Sequence, residues 1–208
     1  MKSRVTGGVR WPLPLLALLV ALAGCGGGGG GSTNAPVASA TALSVRKVED
    51  PAFSIAVPKS WLSVDQQSAR HTRTSNPRLR AAIRTLTRTA TPVRLIAVAP
   101  ARGNAFAANM NVIETRVPSS ISFNDLVKNE AKQIKLASAV HDLQQEKVEL
   151  PAGRALQLTY RVRRRGYVRQ YFVKREDELY VLTYTAALAD GPHYAPTFDR
   201  SAHTFRLG

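Results

Sequence analysis

Residues 156–186 restrict the fold more than any other stretch of the chain. Leu156, Leu158, Tyr160 and Val162 alternate with Gln157, Thr159, Arg161 and Arg163, the period of a strand with one buried face. Arg164-Arg165-Gly166 reads as a turn and Tyr167 to Arg175 as the returning strand. Glu176-Asp177-Glu178 turns the chain again, a solvated acidic hairpin tip rather than a cation site. Leu179 to Ala186 carries large residues on both faces, which predicts a central strand covered on both sides. Such an antiparallel meander must find cover for its apolar faces.

The flanking sequence supplies that cover. Asn76 to Ala90 has Leu79, Ile83, Leu86 and Ala90 on one helical stripe, with Arg80, Arg84 and Arg88 on another. Asn76-Pro77 predicts its start, with Asn as cap and Pro at the first helical position. Ser122 to Ser138 repeats the helical period through Phe123, Leu126, Val127, Ala131 and Ile134, and Ser122 with Asp125 approximates a capping box. Gly191-Pro192 opens a last helix with Ala195, Phe198, Ala202 and Phe205 on one side. Ala52 to Pro58 reads as a strand ending in a turn at Pro58–Trp61, and residues 93–99 and 110–117 as two more strands. The expected architecture is α+β, an α/β/α sandwich with a largely antiparallel central sheet and helices on both faces.

The N-terminus is an address rather than a part of that fold. Lys2, Arg4 and Arg10 precede a 13-residue apolar run, Trp11 to Ala23, broken only by Pro12 and Pro14. The run is short of the roughly 20 residues a spanning helix needs, so it reads as a secretory signal. Leu22-Ala23-Gly24-Cys25 resembles the bacterial lipobox, in which the cysteine is lipidated and the chain is cut before it. Cys25 is also the only cysteine, so no disulfide forms within the chain. Residues 1–24 are therefore expected to be a signal peptide. Residues 25–43, with six consecutive glycines from Gly26, are expected to be a lipidated cysteine and flexible tether. Residues 44–208 form a single globular domain. The expected location is the extracytoplasmic side of a bacterial membrane, held through a diacylglyceryl Cys25. Without the three leader cations, 26 basic side chains face 14 acidic ones, a mature charge of +12.

Several segments are similar to PsbP-like domains. Phe53-Ser54-Ile55-Ala56-Val57-Pro58-Lys59-Ser60-Trp61 resembles their opening strand and following tryptophan. Asn109-Met110-Asn111-Val112 resembles a middle strand. Tyr171-Phe172-Val173 with Tyr180-Val181-Leu182-Thr183-Tyr184 resembles the late strands, and Phe198 to Arg206 the closing helix. The resemblance spans roughly residues 48–208. It implies an antiparallel sheet between helices, near LpqN-type lipoproteins and the extrinsic photosystem II protein. It carries over no metal or partner residue, and residues 65–91 depart from the pattern.

Chemistry is sparse. His71, His141, His193 and His203 show no metal-site spacing, and no nucleophile elbow or phosphate loop is present. Ser44-Val45-Arg46-Lys47 fits S-x-x-K, but it sits at the linker boundary, where nothing is expected to hold the pair rigidly. No catalytic residue, metal or cofactor is expected. The feature above background is the acid-free run from Arg154 to Arg175, with Arg161, Arg163, Arg164, Arg165 and Arg169 at its centre. Arg169 is expected beside Arg163, making an anion- or partner-binding face with Tyr160, Tyr167 and Tyr171 interleaved. Nucleic acid is not an expected partner of an exported lipoprotein, so the candidates are an envelope protein or an anionic lipid or polymer. The alternative is a small apolar or lipid ligand held between sheet and helix.

Overall fold

The computed structural model describes residues 44–88, 93–100, 106–137, 139–163 and 166–208. The chain runs β1 (Val45–Glu49), β2 (Phe53–Pro58), β3 (Leu62–Asp65), α1 (Gln66–Ala69), α2 (Pro77–Arg88), β4 (Val93–Val98) and β5 (Asn109–Arg116). It continues as α3 (Phe123–Leu136), β6 (Val140–Leu150), β7 (Gly153–Val162), β8 (Gly166–Arg175), β9 (Glu178–Ala186), α4 (Gly191–Ala202) and β10 (Arg206–Leu207). Seven strands form an antiparallel sheet in the order β3-β4-β5-β9-β8-β7-β6. As expected, β9 takes the middle place, with β5 on one side and β8 on the other.

Alternation along the strands builds two apolar layers on the two faces of this sheet. Leu95, Met110, Val112, Tyr171, Tyr180, Leu182 and Tyr184 join Phe198 of α4 in the first. Ile96, Leu156, Leu158, Tyr160, Phe172 and Val181 join Leu79 and Leu86 of α2 and Leu126 and Ile134 of α3 in the second. The first face has a cover that the sequence reading did not separate: β1, β2 and β10 form a small sheet beside α4. Ile55 and Val57 seal it against the large sheet. The turn after Pro58 leads into β3 and the short α1, two further elements without a predicted counterpart.

Local signals act as their chemistry requires. Asn76 Oδ1 accepts from the Arg78 and Leu79 amides at 3.0 and 3.2 Å, satisfying orphan donors at the start of α2. Ser122 Oγ accepts from the Asp125 amide at 3.1 Å and starts α3. Gly166 has φ +121°, and a Cβ there would lie 2.1 Å from the Ala186 carbonyl oxygen. Only glycine fits, so the position of the β7–β8 turn is fixed.

The S-x-x-K pattern runs from Ser44, just before β1, into that strand, contrary to the expectation of an unsupported linker. Lys59 donates to the Ser44 carbonyl at 2.8 Å, and β1 pairs with β2 from Val45 onward. An i, i+3 pair in a strand points to opposite faces. Lys47 instead pairs with Glu49 at 2.7 Å on the surface.

Candidate functional site

The structure divides the basic hairpin. Arg161 and Arg163 are exposed at the end of β7, and Arg161 meets Asp142 at 3.1 Å. A solvent-exposed pair of this kind contributes at most about 1 kcal/mol. The expectation that Arg169 lies beside Arg163 is corrected by the register, which sets Arg169 opposite Thr159 and Tyr167 opposite Arg161. Alternation then turns Arg169 to the α4 face, where its guanidinium donates to Asp199 and, at 2.7 Å, to the Tyr167 hydroxyl. Tyr171 donates to the same Asp199 carboxylate. Burial is the largest influence on Arg169 and opposes its charge, but the hydrogen bond and charge of Asp199, with Tyr167 and Tyr171, together outweigh it, so its pKa is raised. Arg169 is therefore engaged as a clamp between β8 and α4.

The remaining cations of the hairpin lie at its other end. Arg175 donates to the Gly208 carbonyl at 2.7 Å and Lys174 to the Glu176 carbonyl. Tyr160 faces α3, away from Arg161. Tyr171 packs in the α4-side core, and of the three tyrosines expected among the arginines Tyr167 does contact one, accepting from Arg169. Arg164, Arg165, Leu22, Ala23, Gly24 and Cys25 lie outside the described residues.

What the structure does bring together is one end of the domain. The rungs Leu62–Val98, Val98–Asn109, Asn109–Thr185, Thr185–Val168 and Val168–Tyr160 cross the large sheet in one row. Beyond this row lie the residues preceding β3, the β7–β8 turn, the residues after β9 and the start of β6. The Arg163 amide donates to the Ala139 carbonyl at 2.8 Å, tying the hairpin to the α3–β6 connection. Ser44, where the described domain begins, is bonded to Lys59 at this same end, and Arg46 donates to the Trp61 carbonyl at 2.8 Å.

The exposed large apolar side chains of the described residues all gather there: Val45 (44%), Leu62 (41%), Leu136 (74%) and Leu188 (51%). Lys59, Lys135, Arg161 and Arg163 are exposed at the same end, as are Asp142, which pairs with Arg161, and Asp190. Glu176, Asp177 and Glu178 occupy the opposite end of the sheet, next to Arg116 and Arg175. The exposed large apolar groups thus mark the end where Ser44 begins, while charges of both signs occur at each end.

A second basic feature escaped the sequence reading. A groove of about 610 Å³ runs between α3 and the edge strand β6. Lys128, Lys132 and Lys135 of α3 and Lys147 of β6 line it, with Asn124, Gln145, Val127, Ala131 and Leu136. No carboxylate lines it. The signal was present as an i, i+4, i+7 lysine stripe on α3, but β6 had not been recognised as its other wall.

The buried side of α3 holds a polar group that the apolar stripe concealed. Glu130 is 3% exposed, and burial pushes its carboxyl up to about 7. Beneath it, Tyr160 donates to Gln170 at 2.9 Å and Gln170 to Thr183 at 3.0 Å. Asn111 sits opposite Thr183 in register, and its buried Oδ1 has no hydrogen-bond partner. The four histidines are exposed, and among the described residues no three metal-ligating side chains converge. No helix among the described residues is long and apolar enough to cross a membrane.

No protein-family model matches the sequence, and no curated protein does. The solution structure of cyanobacterial PsbP (CyanoP) from Synechocystis sp. PCC 6803 is similar, with TM-score 0.53 and 15% identity. That match covers 84% of this chain and 98% of the cyanobacterial one. The fold is PsbP-like. LpqN, involved in cell envelope biogenesis of Mycobacterium tuberculosis, has TM-score 0.48 at 12% identity over 80% of this chain and 92% of LpqN. A Pseudomonas aeruginosa protein of unknown function has TM-score 0.48 at 23% identity, over 56% of this chain and 83% of that protein.

Proposed function

We propose that this chain is a bacterial envelope lipoprotein, anchored through Cys25, whose PsbP-like domain works by binding and not by catalysis. Its binding surface is the end of the domain at Ser44, laid against an anionic membrane. The observation that carries this reading is the gathering of Val45, Leu62, Leu136 and Leu188 at that end, among exposed Lys59, Lys135, Arg161 and Arg163. A domain held by an anchor before Ser44 presents this end to the bilayer first. Exposed leucines gain by entering the interface, and each nearby cation adds about 1 kcal/mol on an anionic surface. Arg164 and Arg165, adjacent in sequence to Arg163, extend the basic run.

Residues 44–208 contain both apolar cores and all of the strand pairing described above. A Cys25→Ser chain beginning at residue 25 therefore keeps the whole fold and isolates the domain's own membrane affinity. It is expected to co-sediment with phosphatidylglycerol vesicles, to leave phosphatidylcholine vesicles in solution, and to be released by salt. Leu188→Asp and the Arg161→Gln, Arg163→Gln pair are each expected to weaken binding several-fold. Equal binding to both vesicle types, or no loss in either variant, would refute this surface. Crosslinking in the native envelope that captured one protein through the arginines, and no lipid, would replace the membrane by a protein partner.

A further inference from the structure

We propose that the groove between α3 and β6 is a binding site for an anionic single-chain amphiphile, a lipid with one acyl chain and a phosphate or carboxylate head. Lys128, Lys132 and Lys135 stand in one helical stripe, which at about 1.5 Å per residue spans roughly 10 Å. Lys147 closes the row from the opposite wall, with Asn124 Oδ1 as its acceptor at 3.3 Å. Four ammonium groups around one concavity, with no lining carboxylate, repel one another unless an anion occupies it. The charge therefore selects an anion.

The floor selects the rest of the ligand. Val127 and Ala131 are buried at its base, and Leu136 lies exposed at the end nearest Ser44. Val127 and Ala131 close the base, so the apolar surface open to a ligand is that of Leu136 and the lysine stems, which a small hydrated anion such as free phosphate leaves wet and an acyl chain covers. The groove, about 610 Å³ and open to solvent along one side, has room for a single chain. Leu136 places the mouth at the end of the domain proposed to face the membrane, so a lipid can enter from the bilayer. The ligand class itself does not depend on that docking.

The test uses the Cys25→Ser chain from residue 25 and titrates dodecyl phosphate below its micelle concentration by calorimetry. Inorganic phosphate and dodecyl maltoside serve as head-only and neutral-chain probes. Dodecyl phosphate is expected to bind with one-to-one stoichiometry and at least tenfold more tightly than either. The Lys128→Gln, Lys132→Gln, Lys135→Gln variant is expected to lose at least tenfold, and Ala131→Trp, which fills the floor, to lose a similar factor. Circular dichroism establishes that each variant is folded, and Leu136→Asp, at an exposed position, gives an independent lesion if Ala131→Trp is not. Absence of dodecyl phosphate binding would overturn the proposal. So would equal affinity for inorganic phosphate, or binding that both lesions leave intact. The vesicle assay uses Leu188, Arg161 and Arg163, none of which lines the groove, so the membrane surface and the groove can fail separately.

Discussion

Arg169 of β8 and Asp199 of α4 form an ion pair across the sheet–helix boundary, and Tyr171 completes it by donating to the same carboxylate. An arginine that the sequence offered as a ligand-binding cation is thereby committed to holding a helix. The Asp199 side chain is partly exposed, so breaking the pair should cost less than the roughly 3–5 kcal/mol of a fully buried one. Arg169→Met is expected to lower unfolding stability by about 2 kcal/mol in urea denaturation. It should leave binding to anionic vesicles unchanged. A loss of vesicle binding with unchanged stability would return Arg169 to the binding surface.

Glu130 makes the opposite kind of prediction. Its carboxyl is raised from 4.5 to about 7, first because it is buried. The folded state therefore holds a proton there that the unfolded state releases above about pH 4.5. The folded state binds more protons between these values, so stability falls as pH rises from 4.5 to 7 and then levels off. A shift of this size corresponds to about 3 kcal/mol. Glu130→Leu is expected to flatten this descent and to stabilise the protein at pH 8 by up to that amount, with little gain at pH 4. Urea midpoints of both proteins at the two pH values measure it. A variant less stable at pH 8 would show that the carboxylate has a stabilising role in the folded chain.

These two residues show how far the sequence could be read. The meander, the placement of β9 at the centre and the caps at Asn76 and Ser122 follow from local period and side-chain chemistry, which act over a few residues. Arg169 could not be placed in that way. Its surroundings depend on the register of β8 against β7, which the backbone geometry of Gly166 sets, and on where α4 returns some 30 residues later. Strand β6 was missed because an edge strand with Gln144, Gln145, Glu146 and Lys147 exposed has almost no apolar alternation to detect. Without β6 the lysines of α3 are one face of a helix, and the groove has no second wall. The gathering of Leu136 and Leu188 at one end is likewise a property of the sheet order and not of any segment.

The anchor and the exposed cations of the Ser44 end should separate by salt. Each buried methylene of an acyl chain contributes about 0.8 kcal/mol, so two or more chains hold a protein to a bilayer regardless of ionic strength. Contacts between exposed cations and anionic headgroups are screened within about 10 Å at 0.1 M salt. If Cys25 is lipidated, the native protein is expected to stay with the membrane fraction in both low and high salt. Cys25→Ser is expected to remain partly associated in low salt and to be released at about 0.5 M. Adding Arg161→Gln, Arg163→Gln, Arg164→Gln and Arg165→Gln to Cys25→Ser should release it even in low salt. Fractionation of cells producing the three forms, with detection by immunoblot, decides the matter. A Cys25→Ser protein that stays with the membrane in high salt would mean that the leader remains attached and does the anchoring itself.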